Sequence, residues 1–165
     1  RDKTRKDGLM LETIFDQSGN KVSEGTVKNK NRHGKWVYYF KGVKIIMSEE
    51  NYVDGKLNGE VKTYFKNGTL LETKNYKNDV LEGKYQRFSE KGLLLHNLNY
   101  KNGKLNGPGE YFTSSGKIYT KGQYADNMKI GKWPVFDKNG KEVEVSRTQK
   151  TNPKRTSNKS QNKTK

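Results

Sequence analysis

The sequence predicts an all-β protein, an elongated single-layer antiparallel sheet of about six tandem β-hairpins. Three observations carry this. Glycine recurs at Gly34, Gly59, Gly83, Gly107 and Gly131, at intervals of 25, 24, 24 and 24 residues. An aromatic ring follows five positions after each, at Tyr39, Tyr64, Phe88, Phe112 and Phe136, with Phe15 at the matching place upstream. The segments between turn-forming residues run about five to eight positions, too short for helices and rich in β-branched and aromatic residues.

Taken in order, a first, atypical copy starts at Met10, which stands where the later units have Gly. The second unit carries Gly42 one place early and is a residue longer than the rest. In the third, Glu60 to Phe65 reads as a strand, Lys66-Asn67-Gly68 as a hairpin turn and Leu70 to Tyr76 as the return strand. Asn and Gly suit such turns because they tolerate positive φ. The fourth unit repeats this with Lys84 to Phe88, Lys91-Gly92 and Leu93 to Tyr100. In the fifth and sixth, Pro108 and Pro134 open the first strands, where a missing N–H is tolerated. The sixth copy stops near Val145, half complete. Residues 1–9 read as a frayed polar leader, 10–145 as the array and 146–165 as a disordered basic tail. A meander of about twelve strands spaced roughly 4.8 Å apart spans on the order of 50 Å. Each unit buries little alone, so neighbours stabilise one another.

Composition agrees with a thin structure. Hydrophobic residues make up 29% of the chain, against an average near ~45–50%, so a thick core is hard to build. Ten Tyr, six Phe and two Trp argue against wholesale disorder. Net charge is +16, of which residues 147–165 hold +7 with no acid, leaving the body basic in its own right. Anionic partners follow as an expectation: an acidic protein, a lipid surface or, less favoured, nucleic acid, since Arg is sparse. The chain has no Cys, which excludes disulfides and thiolate metal sites. No apolar run approaches the ~20 residues that span a bilayer. The start at Arg1 favours an exported, periplasmic or cell-surface protein over a cytoplasmic one.

No catalytic constellation is visible. His33 and His96 are the only histidines and stand 63 residues apart at different repeat positions. Glu49-Glu50 point to opposite faces of a strand. Asp54 and Asp79 fall in turns for backbone reasons, and Ser114-Ser115 has no His beside it to activate a hydroxyl. Gly107-Pro108-Gly109 lacks the Lys-Ser/Thr ending and following helix of a phosphate loop. The expectation is a protein that is not an enzyme and holds no cofactor or metal.

The aromatic series is the distinctive surface. Side chains alternate faces along a strand. Trp36, Tyr85 and Trp133, two past the unit Gly, therefore face away from the series five past it, unless a bulge intervenes. Both ladders could simply stiffen the sheet. Alternatively, one is a core stripe and the other an exposed row of rings rimmed by Lys, suited to an extended ligand. Tyr39, Tyr64, Phe88, Phe112 and Phe136 are the chosen binding face, with Trp36, Tyr85 and Trp133 as the alternative. Gly109 replaces the ring of the latter series, so that groove is expected to break at the fifth unit.

The runs Gly34-Lys35-Trp36-Val37-Tyr38-Tyr39-Phe40, Gly59 to Gly68, and Asn99-Tyr100-Lys101-Asn102-Gly103-Lys104-Leu105-Asn106-Gly107 resemble the MORN repeat. They are most similar to its bacterial variant, found in the YwqK-like antitoxin family. The resemblance covers about Met10 to Val145. It implies an elongated sheet of hairpins and a non-catalytic role: binding another protein as a scaffold or as an antitoxin or immunity-type protein. Its alternative is peripheral association with anionic lipids through the basic array and tail.

Overall fold

The computed structural model describes residues 5–6 and 8–144. Among the described residues, sixteen strands form one antiparallel sheet. They are β1 (Arg5–Lys6), β2 (Leu9–Phe15), β3 (Lys21–Lys28), β4 (Asn31–Tyr39), β5 (Ile46–Val53), β6 (Lys56–Leu57), β7 (Gly59–Tyr64) and β8 (Leu70–Lys77), followed by β9 (Val80–Phe88), β10 (Leu94–Lys101), β11 (Lys104–Leu105), β12 (Gly107–Phe112), β13 (Ile118–Ala125), β14 (Met128–Ile130), β15 (Val135–Phe136) and β16 (Glu142–Val143). Thirteen follow one another across the sheet in chain order, while the short β6, β11 and β14 pair with β5, β10 and β13. The six expected hairpins are β2/β3, β4/β5, β7/β8, β9/β10, β12/β13 and β15/β16. The sheet is open, and no helix occurs among the described residues, so none is long and apolar enough to cross a membrane.

Two kinds of turn fold it. Along one long edge, each hairpin closes as Phe65 to Thr69 does: Phe65 N–H donates to Thr69 O at 2.8 Å, and Gly68 N–H to Phe65 O at 2.9 Å. Gly68 sits at φ 85°, a left-handed conformation that a side chain would strain. The second hairpin closes from Phe40 to Ile45 instead, so its additional residue lies inside this turn. Along the other edge, two-residue turns have both central φ values positive, as at Asn78 (50°) and Asp79 (67°). That geometry matches strand twist and selects Asn, Asp and Gly.

Successive turns on this second edge brace each other. Asp79 N–H donates to Leu57 O at 2.9 Å, and Leu57 N–H to Asp79 Oδ1 at 2.7 Å. The same exchange recurs between Asn127 and Leu105, at 3.0 and 2.8 Å. Backbone groups that would be unpaired at a sheet edge are thus satisfied by the next repeat. This is why neighbouring units hold together without a second layer.

Two differences from the sequence reading have simple causes. Within the expected leader, Arg5 and Lys6 pair with Met10 and Leu9, and β2 begins at Leu9. Gly8, at φ 75°, belongs to the connection that turns them back. β15 is only two residues long, since Pro134, just before it, has no N–H for the ladder. The basic tail expected from residue 146 onward lies outside the described residues.

Candidate functional site: two ladders on opposite faces

Trp36 and Tyr39 lie on opposite faces. On β3, Gly25 pairs with Trp36 and its neighbour Glu24 accepts the Tyr39 hydroxyl. A register shift does fall between Tyr38 and Tyr39. The pairing passes directly from Tyr38↔Ser48 to Tyr39↔Ile46, so the bulged residue, Met47, is on the return strand and the parity along β4 survives.

The face carrying Trp36 is packed by size complementarity. Trp36 is 1% exposed and clusters with Val27 and Tyr52. Its indole N–H donates to Thr26 O at 2.8 Å, and the Arg32 guanidinium lies 4.8 Å from its ring centre. The ring fits because Gly25 lies beneath it: a Cβ there would come within 2.4 Å of the indole. Trp133 repeats the arrangement over Gly122, where a Cβ would meet the indole at 2.5 Å, and Lys129 lies 4.2 Å from its ring centre. Between these ends the sizes redistribute. Tyr85 pairs with Lys74, and Gly109 packs against Leu98, which is 5% exposed. Hiding a ring from water removes about 150–250 Å2. At about 25 cal/mol per Å2 that contributes up to about 4–6 kcal/mol.

The ring missing at Gly109 therefore leaves no gap. Leu98 and Tyr124 fill the place, and Tyr111, Tyr124 and Trp133 close over the fifth unit with ring centres 4.8 to 6.2 Å apart. Tyr38 and Tyr111, which the two-position reading missed, belong to this face. Burial and a hydroxyl contact, to Tyr52 and Tyr124 respectively, push both phenols far above their ordinary value. His96 lies here too, 5.0 Å from Tyr111, and burial lowers its pKa. His33 is on β4, its Nδ1 3.5 Å from Asp54 Oδ1 without a directed hydrogen bond. No group of His, Asp and Glu able to hold a metal occurs among the described residues.

The opposite face carries all five chosen rings, half-buried, in one row. Tyr39 pairs with Ile46, Tyr64 with Leu70, Phe88 with Leu94 and Phe112 with Ile118, so aliphatic side chains alternate with the rings across the strands. Phe136 ends the row opposite Glu142. Beside it, at the next register, lies a polar row: Glu24, Glu49, Thr73, Asn97 and Lys121 occupy the same repeat position. This row sets which rings carry a hydroxyl. Tyr39 donates to Glu24 and Tyr64 to Glu49, each fifteen residues back. Phe88, Phe112 and Phe136 stand fifteen residues after Thr73, Asn97 and Lys121, none of which offers a carboxylate. Lys121 Nζ instead lies 5.9 Å from the Phe136 ring centre.

The two carboxylates are further held by lysines. Lys21 lies 2.8 Å from Glu24, and Lys35 2.5 Å from Glu49. Those bonds from Lys21 and Lys35, followed by the tyrosine hydroxyls, hold both carboxyls below their usual value. Burial, then the bond to the carboxylate, pushes Tyr39 and Tyr64 up to about 12. The five-position ring ladder was legible in the sequence. The carboxylate one strand away was not, although the repeat alignment contained the signal: Tyr occurs only where Glu stands fifteen residues earlier.

Residues 57–78 match the family model of the MORN repeat variant. That stretch runs from β6 to the turn after β8, one full unit, and the same hairpin recurs along the sheet. Residues 57–78 are thus similar to the MORN repeat variant, and hairpins of the same form flank them on both sides. No curated protein matches it.

Proposed function

We propose that this array is a non-catalytic binding protein that takes another protein along the face bearing Tyr39, Tyr64, Phe88, Phe112 and Phe136. The observation that supports this is the continuity of the five-ring row on the face opposite the buried Trp36, while Tyr85 and Trp133 are half-buried like the five rings. Trp36 is closed off at 1% exposure beneath Arg32. The five-ring row runs unbroken across ten strands' worth of hairpins with its rings half-exposed. A linear row of rings and aliphatics suits an extended partner, since each unit adds a similar contact. The scaffold, or the antitoxin and immunity type of role carried by YwqK-like proteins, is the form of binding we propose.

A pull-down from the native host with wild-type protein and a Tyr64→Ala/Phe88→Ala variant tests it. We expect the wild type to retain a partner that the folded variant loses. A folded variant that keeps every partner rejects this face.

A further inference from the structure

Resting on that reading, we propose that the C-terminal end of the ring row is a docking cleft for an acidic segment of the partner protein. An apolar side chain of that segment would sit on Phe136 while neighbouring carboxylates meet Lys121 and Lys138. The cleft lies between β13 and the turn that joins β15 to β16, lined by Ile118, Phe136, Lys117, Lys121, Lys138 and the Asn139-Gly140 backbone. Its floor is apolar and its rim cationic.

The repeat supplies an internal comparison. A cleft of the same kind lies between the first two hairpin turns, over Phe15, with Lys21 and Lys44 on its rim. There Lys21 is neutralised by Glu24 at 2.8 Å. At the C-terminal cleft the position of Glu24 is taken by Lys121. Among the described residues no carboxylate pairs with Lys117, Lys121 or Lys138. Glu110, opposite Lys121 in the ladder, accepts instead from the Asn97 amide at 2.7 Å. Lys117 Nζ donates to Lys138 O at 2.7 Å, tying the turn to β13 and fixing the cleft wall. Glu142 stands opposite Phe136 in the ladder but, among the described residues, forms no ion pair with these three lysines.

Charge complementarity therefore selects an anionic occupant. The shape of the row selects an extended one, because from Phe136 the apolar track continues through Ile118 and Phe112 toward Leu94. At the other end, Glu24 and Glu49 occupy the same register and already pair with Lys21 and Lys35, so at this register only the C-terminal units leave a lysine, Lys121, unpaired for the partner's acidic end. In the reverse direction the acidic end would meet Lys21 and Lys35, whose charge is already compensated.

The test is fluorescence anisotropy with a labelled synthetic peptide of Glu interspersed with Phe. A same-length peptide with Ser for Phe, and phosphatidylserine vesicles, serve as second and third probes. The variant Lys121→Glu/Lys138→Glu leaves the Lys117 tie intact. The control Lys77→Glu/Lys101→Glu carries the same net charge but alters the opposite edge of the sheet. We expect the cleft variant to bind the Glu/Phe peptide at least about tenfold more weakly, the control within about threefold of wild type, and the Ser peptide weakly throughout. Equal losses in both variants would mean bulk charge alone and overturn the cleft. So would a Ser peptide that binds as well as the Phe peptide, or vesicles that depend on Lys121 while the peptide does not bind. Should Tyr64→Ala/Phe88→Ala lose the native partner while the cleft variant keeps it, the ring face stands and the cleft fails.

Discussion

Tyr64 donates its hydroxyl to Glu49 Oε2 at 2.9 Å across one strand pair, and the same bond recurs one unit earlier from Tyr39 to Glu24. Where the matching residue is Thr73 or Asn97, the ring is Phe88 or Phe112. A phenol hydroxyl half-buried on a sheet face needs an acceptor, and a half-buried carboxylate needs donors. The two choices are therefore made together.

This coupling is measurable. Tyr64→Phe removes one donor from a charged acceptor, a loss of about 1.5–3 kcal/mol at full burial and toward the lower end here, where the pair is half-exposed. Glu49→Thr copies the pairing of Thr73 with Phe88. In urea unfolding, the double variant should lose less stability than the two single losses together, by about 1 kcal/mol. Additive losses would show that the pair is not coupled.

The packed face predicts a size rule. Gly25→Ala and Gly122→Ala each drive a methyl into an indole and should cost about 1–3 kcal/mol. Adding Trp133→Val to Gly122→Ala should recover part of that loss, because the smaller side chain vacates the space. Adding Trp36→Val to Gly122→Ala should not, since Trp36 packs over Gly25 in a different unit. Thermal unfolding of the four variants checks this.

At alkaline pH the tyrosines matter. Tyr39 and Tyr64 are raised to about 12 in the folded protein, above an unfolded value of about 10. Their contribution is complete below the unfolded value and is lost as pH rises toward the folded one. Stability should fall between about pH 10 and 12, and tyrosine absorbance should show a late-titrating fraction. The Tyr39→Phe/Tyr64→Phe variant should show a shallower fall.

At acid pH the sign reverses. Glu24 and Glu49 are held below their usual value by Lys21 and Lys35 first. Their contribution is present above the unfolded value of about 4.3 and is lost as pH falls through the depressed folded one. Glu24→Gln/Glu49→Gln should flatten the acid limb of a stability-versus-pH curve measured by denaturant midpoint.

By itself, the sequence determined the repeat, the all-β class, the hairpin turns and the opposition of the two ring series. Gly68, Asn78 and Asp79 are local instructions: a positive φ is a property of a residue and its neighbours, and it survives in any context. The period then multiplies one hairpin into a sheet. What only the tertiary structure decided are the relations across strands. That Trp36 is closed off while Tyr39 is not depends on Gly25, eleven residues earlier in the chain and directly beneath the indole. That Gly109 leaves no hole depends on Leu98 and Tyr124. That Phe136 borders a cationic cleft depends on Lys121 occupying the register where Glu24 and Glu49 stand in earlier units. Side-chain volume and charge act through distances of a few ångströms, and register sets which residues come that close.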